Sequence, residues 1–187
     1  MELNTFLKQR VSLSPDMETV LDQAFKREQY PKHHKLLHPN NRSQKVFFIE
    51  KGLARTYYLK DEGKDVTHFF FAENAFAMPI ESIFYNNSSP YGFELLEHSV
   101  IRSIAYADLE KYIEQSDALE KLMRLLLIDV LKAFSDRFYA LQFQTAQERY
   151  RIMLETYPDI LMRAPLGHIA SYLGITQQTL SVIRAQR

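Results

Sequence analysis

The sequence contains no cysteine and only five glycines among its 187 residues. Without cysteine the chain forms no disulfide, no thiolate zinc site, no cysteine-ligated iron–sulfur cluster and no thiol redox switch. The glycines form no phosphate-binding loop, and no Ser/His/Asp arrangement or nucleophile elbow is recognisable. We therefore assign no catalytic residues and do not expect an enzyme.

Long hydrophobic runs are also missing. No apolar run approaches the roughly 18 residues that cross a bilayer, and the opening "MELNTFLKQRVSLSPDMETV" carries charges where a signal peptide has its apolar segment. A hydrophobic content of 46% is ample for a packed core. We expect a globular, cytoplasmic protein that has no membrane partner.

The chain as a whole has no excess of positive charge, since Lys and Arg total 23 and Asp and Glu total 23. The distribution is nevertheless uneven. Residues 160–187 contain Arg163, Arg184, Arg187 and His168 but no acidic residue. Because the effect of a charge falls off over about 10 Å in physiological salt, a local cationic surface at this end is compatible with a neutral molecule.

Hydrophobic spacing divides the chain into helical and β-type regions. Residues 3–30 have helical spacing, and "SLSPDM" supplies an N-cap and a first-turn proline for a second helix. From Lys32 to Ala105 the pattern changes to short β-type runs, among them "KVFFIEKG", "LARTYYLK", "DVTHFFFAE", "YGFELLE" and "SVIRSIA". "DEGK" and "HPNN" are turn signals. From Asp108 the spacing is helical again, and a second helix, 145–156, ends before Pro158.

A long apolar stripe follows the β-type region. Its members recur at spacings of three and four over about six turns: Leu119, Leu122, Met123, Leu126, Val130, Phe134, Phe138 and Leu141. A helix of this length requires a partner, which is either the β-type unit of the same chain or a second copy of the protein.

The C-terminal segment "LGHIASYLGITQQTLSVIRAQR" contains two short helical patterns separated by a small-residue turn. Gly174 suits a left-handed C-cap and Thr176 an N-cap, while Ile175, Leu180 and Ile183 point back to the core. The outward face of the second helix carries Gln177, Gln178, Ser181 and Arg184. Glutamine pairs with the edge of adenine, and arginine with guanine or phosphate. On spacing alone, a DNA-reading element and a purely structural helix pair both remain open.

"IASYLGITQQTLSVIR" closely resembles the helix-turn-helix of the Crp/Fnr superfamily of bacterial regulators, in the branch with an Ile-Ala-Ser-Tyr-Leu-Gly-Ile-Thr motif. "FFIEKGLARTYYLKDEGKDVTHFFFAEN" resembles the hairpin of that family's cyclic-nucleotide-binding β-roll. The resemblance implies an α+β fold with N-terminal helices and an antiparallel β-roll (1–115), a long dimerisation helix (116–142) and a helix-turn-helix domain (143–187). It also implies a homodimer that reads a palindrome in double-stranded DNA, with RNA polymerase as a further candidate partner.

Within this resemblance the residues at positions 177, 178, 181 and 184 would contact bases. Thr176, Thr179 and Arg187 are candidates for phosphate contacts, which set register without reading sequence. Val182 stands where the family usually has an arginine, and Gln178 where an acidic residue is common. The DNA sequence that is read should therefore differ from that of typical members.

The region that corresponds to the family's phosphate cassette, "AENAFAMPIESIFYNNSSPYGFELL", lacks the Gly-Glu pair and contains no arginine. Without a cation a buried phosphate loses much of its stabilisation, so cyclic AMP is not expected and no cofactor is assigned. "GFEL" lies after the cassette, in the next strand. Arg55 could reach in from another strand. A different small ligand would use an apolar pocket, for which the candidates are Phe71, Phe76, Glu81, Phe84 and Tyr91; a plain aromatic core explains the same residues.

The histidines of "HHKLLH" have spacings that support metal ligation on a helix, but the surrounding pattern reads as strand and turn, which scatters the side chains. We therefore assign no metal site. His68 is interpreted as a satisfied or exposed histidine. The alternative to a DNA-binding regulator is a sensor or adaptor that does not bind DNA, in which the roll binds a small molecule or protein and the C-terminal helices only dock.

Overall fold

The structure, a computed structural model, describes residues 2–186. Eight strands form two antiparallel four-stranded sheets, in the orders β1-β8-β3-β6 and β2-β7-β4-β5, which face each other as a β-roll. The strands are β1 (Lys26–Tyr30), β2 (Lys35–Leu37), β3 (Lys45–Lys51), β4 (Ala54–Leu59), β5 (Asp65–Phe71), β6 (Phe76–Ala77), β7 (Tyr91–Leu95) and β8 (Ser99–Ala105).

Helices precede, interrupt and follow the roll. They are α1 (Leu3–Arg10), α2 (Pro15–Ala24), α3 (Ile80–Phe84), α4 (Tyr106–Glu114), α5 (Asp117–Phe143), α6 (Ala146–Thr156), α7 (Ile160–Arg163), α8 (Leu166–Leu173) and α9 (Gln177–Ala185). None of the helices in the described part of the chain is both long and apolar enough to span a membrane. The predicted α+β architecture with an antiparallel roll and a long helix is confirmed.

Local sequence signals account for many of these boundaries. Ser14 caps α2 by accepting a hydrogen bond from the backbone N–H of Met17, and Pro15 occupies the first turn. Thr145 and Glu148 form a capping box at the start of α6. The predicted hairpin pairs β4 with β5, and Asn40 in "HPNN" has a positive φ of 64°.

One part of the expected helical lead-in is wrong. Residues 26–30, "KREQY", form β1, which pairs antiparallel with β8 at the edge of the first sheet. Most of this strand is exposed, so it has no alternation of apolar and polar residues that would identify a strand. Its conformation is decided by pairing with Ser99–Ser103 of β8, a contact distant in sequence.

Three groups of buried side chains hold the molecule together. The first joins α1, α2 and α4 to the start of α5 and to Phe48 of β3. The second fills the inside of the roll around Ile49, Leu95 and Ile101. The third packs the C-terminal helices α6 to α9 against Leu53, Phe70 and Leu96 of the roll. We call α6 to α9 the C-terminal unit; it is docked on the roll of its own chain.

Candidate functional sites: the cavity of the roll and the C-terminal helix surface

A cavity of about 600 Å³ lies between the β-roll and α5. The roll contributes aromatic side chains from both sheets, and α5 closes the opposite side with apolar side chains. Among the lining residues are Tyr58, His68, Phe69, Phe71, Phe76, Glu81, Tyr91 and Phe93 from the roll and α3, and Met123, Leu126, Val130 and Phe134 from α5. Ligand sites of small molecules commonly have this size and this mainly apolar lining.

Four of the five pocket residues expected from the sequence line this cavity, namely Phe71, Phe76, Glu81 and Tyr91. Phe84 differs from the expectation: it is the last residue of α3, is 51% exposed and packs its ring edge-on against Tyr106 outside the cavity. Phe84 thus ends α3 against Tyr106 at the start of α4, although Glu81, one turn earlier, lines the cavity. The "GFEL" segment lies in β7, as its register predicts.

Tyr58 and His68 are cavity residues that sequence reasoning did not assign. His68 lies opposite the register shift between Thr56 and Tyr57, where β4 and β5 pair irregularly. Its ring is 5.1 Å from that of Tyr58 and 5.6 Å from that of Phe134 on α5. Burial lowers the pKa of His68, which favours the neutral imidazole. Only the bulge, invisible in a single sequence, directs this side chain into the cavity.

Glu81 is the only acidic residue that α3 brings to the cavity. One of its carboxylate oxygens, Oε2, is buried without a hydrogen-bond partner in the described structure. Burial, and after it the charge of Glu81, raises the pKa of Tyr91 and of Tyr58, two phenols that line the same cavity. The Tyr91 hydroxyl donates to the carbonyl oxygen of Met78 at 3.1 Å.

Positive charge is scarce in the cavity. Among residues 2–186 its only lining lysine or arginine is Arg10, whose Nη1 donates to Oδ2 of Asp129 at 2.7 Å. Arg55, considered above as a phosphate ligand, faces the other side of its sheet. There it is buried, with hydrogen bonds of 2.7 to 3.0 Å to Asp65, Thr67 and Glu94. The cavity thus offers no unpaired lysine or arginine within the described residues to a phosphate.

The apolar stripe of α5 has three different environments. Leu119 and Leu122 are buried in the core of their own chain, which corrects their assignment to a contact with a second chain. Met123, Leu126, Val130 and Phe134 line the cavity. Phe138 and Leu141 are 64% and 47% exposed. Exposed apolar residues that were not assigned from the sequence lie beside them on α5: Leu127, Ile128, Leu131, Tyr139 and Phe143.

The second candidate site is the outer face of α9. Gly174 ends α8 with a φ of 69°, a left-handed conformation that glycine adopts without strain, and Thr176 caps α9 by accepting from the backbone N–H of Thr179. Leu180 and Ile183 are buried against α8 and the rest of the C-terminal unit. The side chains left exposed are Gln177, Gln178, Thr179, Ser181, Val182 and Arg184, together with Thr176 before the helix. Arg187 lies outside the described residues.

Two of the four basic side chains counted near the C-terminus, Arg163 and His168, lie against acidic residues of the roll. Arg163 forms bonds to Glu73 at 2.7 and 3.1 Å and to Glu97 at 2.7 and 3.2 Å, which tie α7 to the roll. His168 is half-buried, with Nδ1 3.9 Å from Asp65. Arg184 is exposed on α9. Of the basic residues counted between positions 160 and 186, only Arg184 therefore contributes an exposed positive charge within the described part of the chain.

Strand β5 lies between the cavity and most of the C-terminal unit and contacts both, while Tyr157 at the end of α6 also lines the cavity. His68, Phe69 and Phe71 line the cavity. On the opposite side, the N–H of Thr67 donates to the hydroxyl of Ser171 at 2.6 Å, and the carbonyl of Phe70 accepts from the hydroxyl of Tyr157 at 3.0 Å. A displacement of β5 would therefore strain or break its hydrogen bonds to α8 and to the end of α6.

No group of three or more histidine, aspartate or glutamate side chains within residues 2–186 is arranged to hold a metal ion. Of the histidines of "HHKLLH", His33 and His38 line a second, polar pocket.

Comparison with known proteins defines the class of the roll. Residues 27–116 match the model of the cyclic nucleotide-binding domain, to which this part of the chain is similar. No curated protein matches the chain. Most of the chain shares its fold with proteins of known structure.

Three solved structures illustrate the likeness. FixK2 from Bradyrhizobium japonicum is 19% identical, with a TM-score of 0.75 over 87% of this chain and 83% of its own. CLP of Xanthomonas campestris, a c-di-GMP-responsive global regulator, is 11% identical, with a TM-score of 0.70 over 92% and 91%. A CRP-family transcriptional regulator from Thermus thermophilus is 15% identical, with a TM-score of 0.66 over 85% and 83%. The chain therefore has the fold of the CRP-type transcription regulators.

Proposed function

We propose that the protein is a homodimeric, DNA-binding transcription regulator of the Crp/Fnr type. The observation that carries this proposal is the division of α9 into two faces. Leu180 and Ile183 anchor it in the C-terminal unit, while a continuous face of hydrogen-bonding side chains and Arg184 stays exposed. A helix presented in this way fits the major groove, where such side chains pair with base edges.

Within this proposal Gln177, Gln178, Ser181 and Arg184 are the base-contacting residues. Thr176, Thr179 and Arg187 contact phosphates. Ser181 donates its hydroxyl to the carbonyl of Gln177 at 3.0 Å, so its oxygen remains available as an acceptor toward DNA. Val182 is 58% exposed on the same helix and offers an apolar surface, which suits the methyl group of thymine rather than guanine.

The second half of α5 supports dimerisation. Its exposed apolar side chains, among them Leu131 at 70% and Phe138 at 64%, form a larger apolar surface than isolated exposed residues would. Two copies joined along this helix by a two-fold axis would place their α9 helices for adjacent major-groove half-sites about 34 Å apart. RNA polymerase remains a candidate partner of the DNA-bound dimer.

The cavity in this regulator does not take cyclic AMP, because the phosphate would find no free lysine or arginine among the described lining residues. The same argument applies to c-di-GMP, the effector named for CLP, which carries two phosphates. An effector of different charge acts through β5, by binding one arrangement of β5 and the C-terminal unit more tightly than another.

The experiment is selection of bound sequences from a random DNA pool, followed by binding measurements on the selected site. A palindrome with half-sites one helical turn apart is the expected result. Affinity should fall linearly with the logarithm of salt concentration, and Arg184→Ala should weaken binding about tenfold or more, since a good base or phosphate contact contributes about 1–3 kcal/mol. Lys111→Ala, which removes one exposed charge on α4, is the matched control.

The docking of the C-terminal unit on the roll favours one alternative, a sensor or adaptor that does not bind DNA. In that case the helices α8 and α9 have a structural role only. Failure of the folded, dimeric protein to retain any DNA at low salt would support the alternative and reject the regulator.

A further inference from the structure

One corner of the cavity combines aromatic rings with an unpaired carboxylate oxygen. Tyr58 lies 5.9 Å from Tyr91 and 5.1 Å from His68, measured between ring centroids. Glu81 lines the same cavity, and its Oε2 is buried without a hydrogen-bond partner among the described residues. A buried, unpaired carboxylate oxygen is costly, and rotation of the Glu81 carboxylate toward the cavity would let a donor from a ligand remove this cost.

The charges around this corner exclude one class of ligand and favour another. The pKa of His68 is lowered, which disfavours its cationic form, and Arg10 is bound to Asp129 at the edge of the cavity. An anionic ligand would therefore face Glu81 without a compensating cation. A cation would be attracted by Glu81 and by the faces of the neighbouring aromatic rings, the combination with which proteins bind amines.

We propose that the cavity binds an apolar small molecule that carries one protonated amine. The ammonium group lies between Glu81 and the rings of Tyr58 and Tyr91. The apolar part extends along Phe69 and toward Phe134 on α5, whose rings are 4.8 Å apart. A volume of about 600 Å³ accommodates a ligand of ordinary metabolite size.

The assignment specifies the effector class for the regulator proposed above, yet it concerns binding to the protein alone. The assignment of an amine ligand can fail while DNA binding holds, and DNA binding can fail while the assignment of an amine ligand holds. Contact with both β5 and α5 gives such a ligand a route to the C-terminal unit and to the exposed face of the long helix.

The test uses the full chain without DNA and three probes of similar shape: 4-phenylbutylamine, 4-phenylbutan-1-ol and 4-phenylbutanoic acid, with cyclic AMP as a fourth. Dissociation constants are measured by calorimetry and supported by thermal shifts. We expect the amine to bind at least about tenfold more tightly than the alcohol, because a hydrogen bond to a charged group is stronger than a neutral one. The acid and cyclic AMP should not bind at millimolar concentration.

Glu81→Gln keeps the shape of the side chain and removes its charge. In this variant the preference for the amine over the alcohol should disappear, while Glu62→Gln, in the exposed turn between β4 and β5, should leave it unchanged. Retained binding of the alcohol by the Glu81 variant shows that its cavity is intact. Tighter binding of the acid or of cyclic AMP than of the amine, an unchanged preference in the Glu81 variant, or no binding of the amine would each overturn the proposal.

Discussion

Dimerisation through α5 can be tested by a single substitution at Leu131. Its side chain is 70% exposed in the isolated chain, the most exposed of the leucines on this helix, and it follows Leu127 and Ile128 by one helical turn. Leu131→Glu replaces an apolar group by a charge among the exposed apolar residues of α5. In a two-fold symmetric dimer, each substitution appears twice.

The size of the effect follows from the exposed fraction. Complete burial of a leucine side chain contributes about 1.5–3 kcal/mol, so the exposed part of Leu131 has about 1–2 kcal/mol to contribute in each protomer. Doubled by symmetry, this is about 2–4 kcal/mol per dimer, or roughly 30-fold to 1000-fold in the dissociation constant. Burying the new carboxylate without a partner adds to this loss, so the range is a lower bound.

Sedimentation equilibrium over a concentration series measures the dissociation constant directly. Asp136→Ala is the control, since its position is about 140° around the helix from Leu131 and its side chain forms only an exposed pair with Lys132. Circular dichroism establishes that both variants keep their helices. A wild-type chain that is monomeric at all concentrations, or a Leu131 variant with the dissociation constant of the wild type, would refute the reasoning.

Three further substitutions probe the fold, each read out by urea denaturation of variant and wild type. Arg163→Met leaves the carboxylates of Glu73 and Glu97 without their shared cation and should lower the free energy of unfolding by about 2–3 kcal/mol. The loss should be smaller at high salt, which screens the ion pairs. An unchanged free energy of unfolding would mean that this contact does not hold the C-terminal unit on the roll. Burial lowers the pKa of His68 below its unfolded value of 6.5, so the unfolded chain binds the proton more tightly and stability is lost as the pH falls through 6.5 and toward the lowered folded value. His68→Gln should weaken this decline between pH 7.5 and 5.5, and an identical decline in the variant would contradict the assignment. Gly52→Ala should lower the free energy of unfolding by at least about 2 kcal/mol, because the new Cβ would lie 2.2 Å from the hydroxyl oxygen of Ser99 and the φ of Gly52 is 116°. A free energy of unfolding within about 0.5 kcal/mol of wild type, the scatter of surface substitutions, would show that the backbone relaxes freely at this position.

The candidate sites follow from the sequence to different degrees. The turn at Gly174 and the cap at Thr176 follow from the chemistry of single residues, and the outward face of α9 follows from helical spacing. The cavity follows only in part. Sequence reasoning misplaces Phe84 and misses His68, because the direction of each side chain depends on where a short helix ends or where a strand bulges.

The amino-acid sequence by itself determined the broad succession of helical and β-type regions, several caps and turns, and the apolar stripe of the long helix, because these depend on residues within a few positions of one another. The tertiary structure decided which residues of each element are paired, buried or left exposed. It turned "KREQY" into an edge strand, buried Leu119 while leaving Leu131 exposed, and engaged Arg55 on the far side of its sheet. It also joined the cavity to the C-terminal unit through β5. These outcomes depend on contacts between residues distant in sequence, and periodicity carries no information about which distant residues will meet.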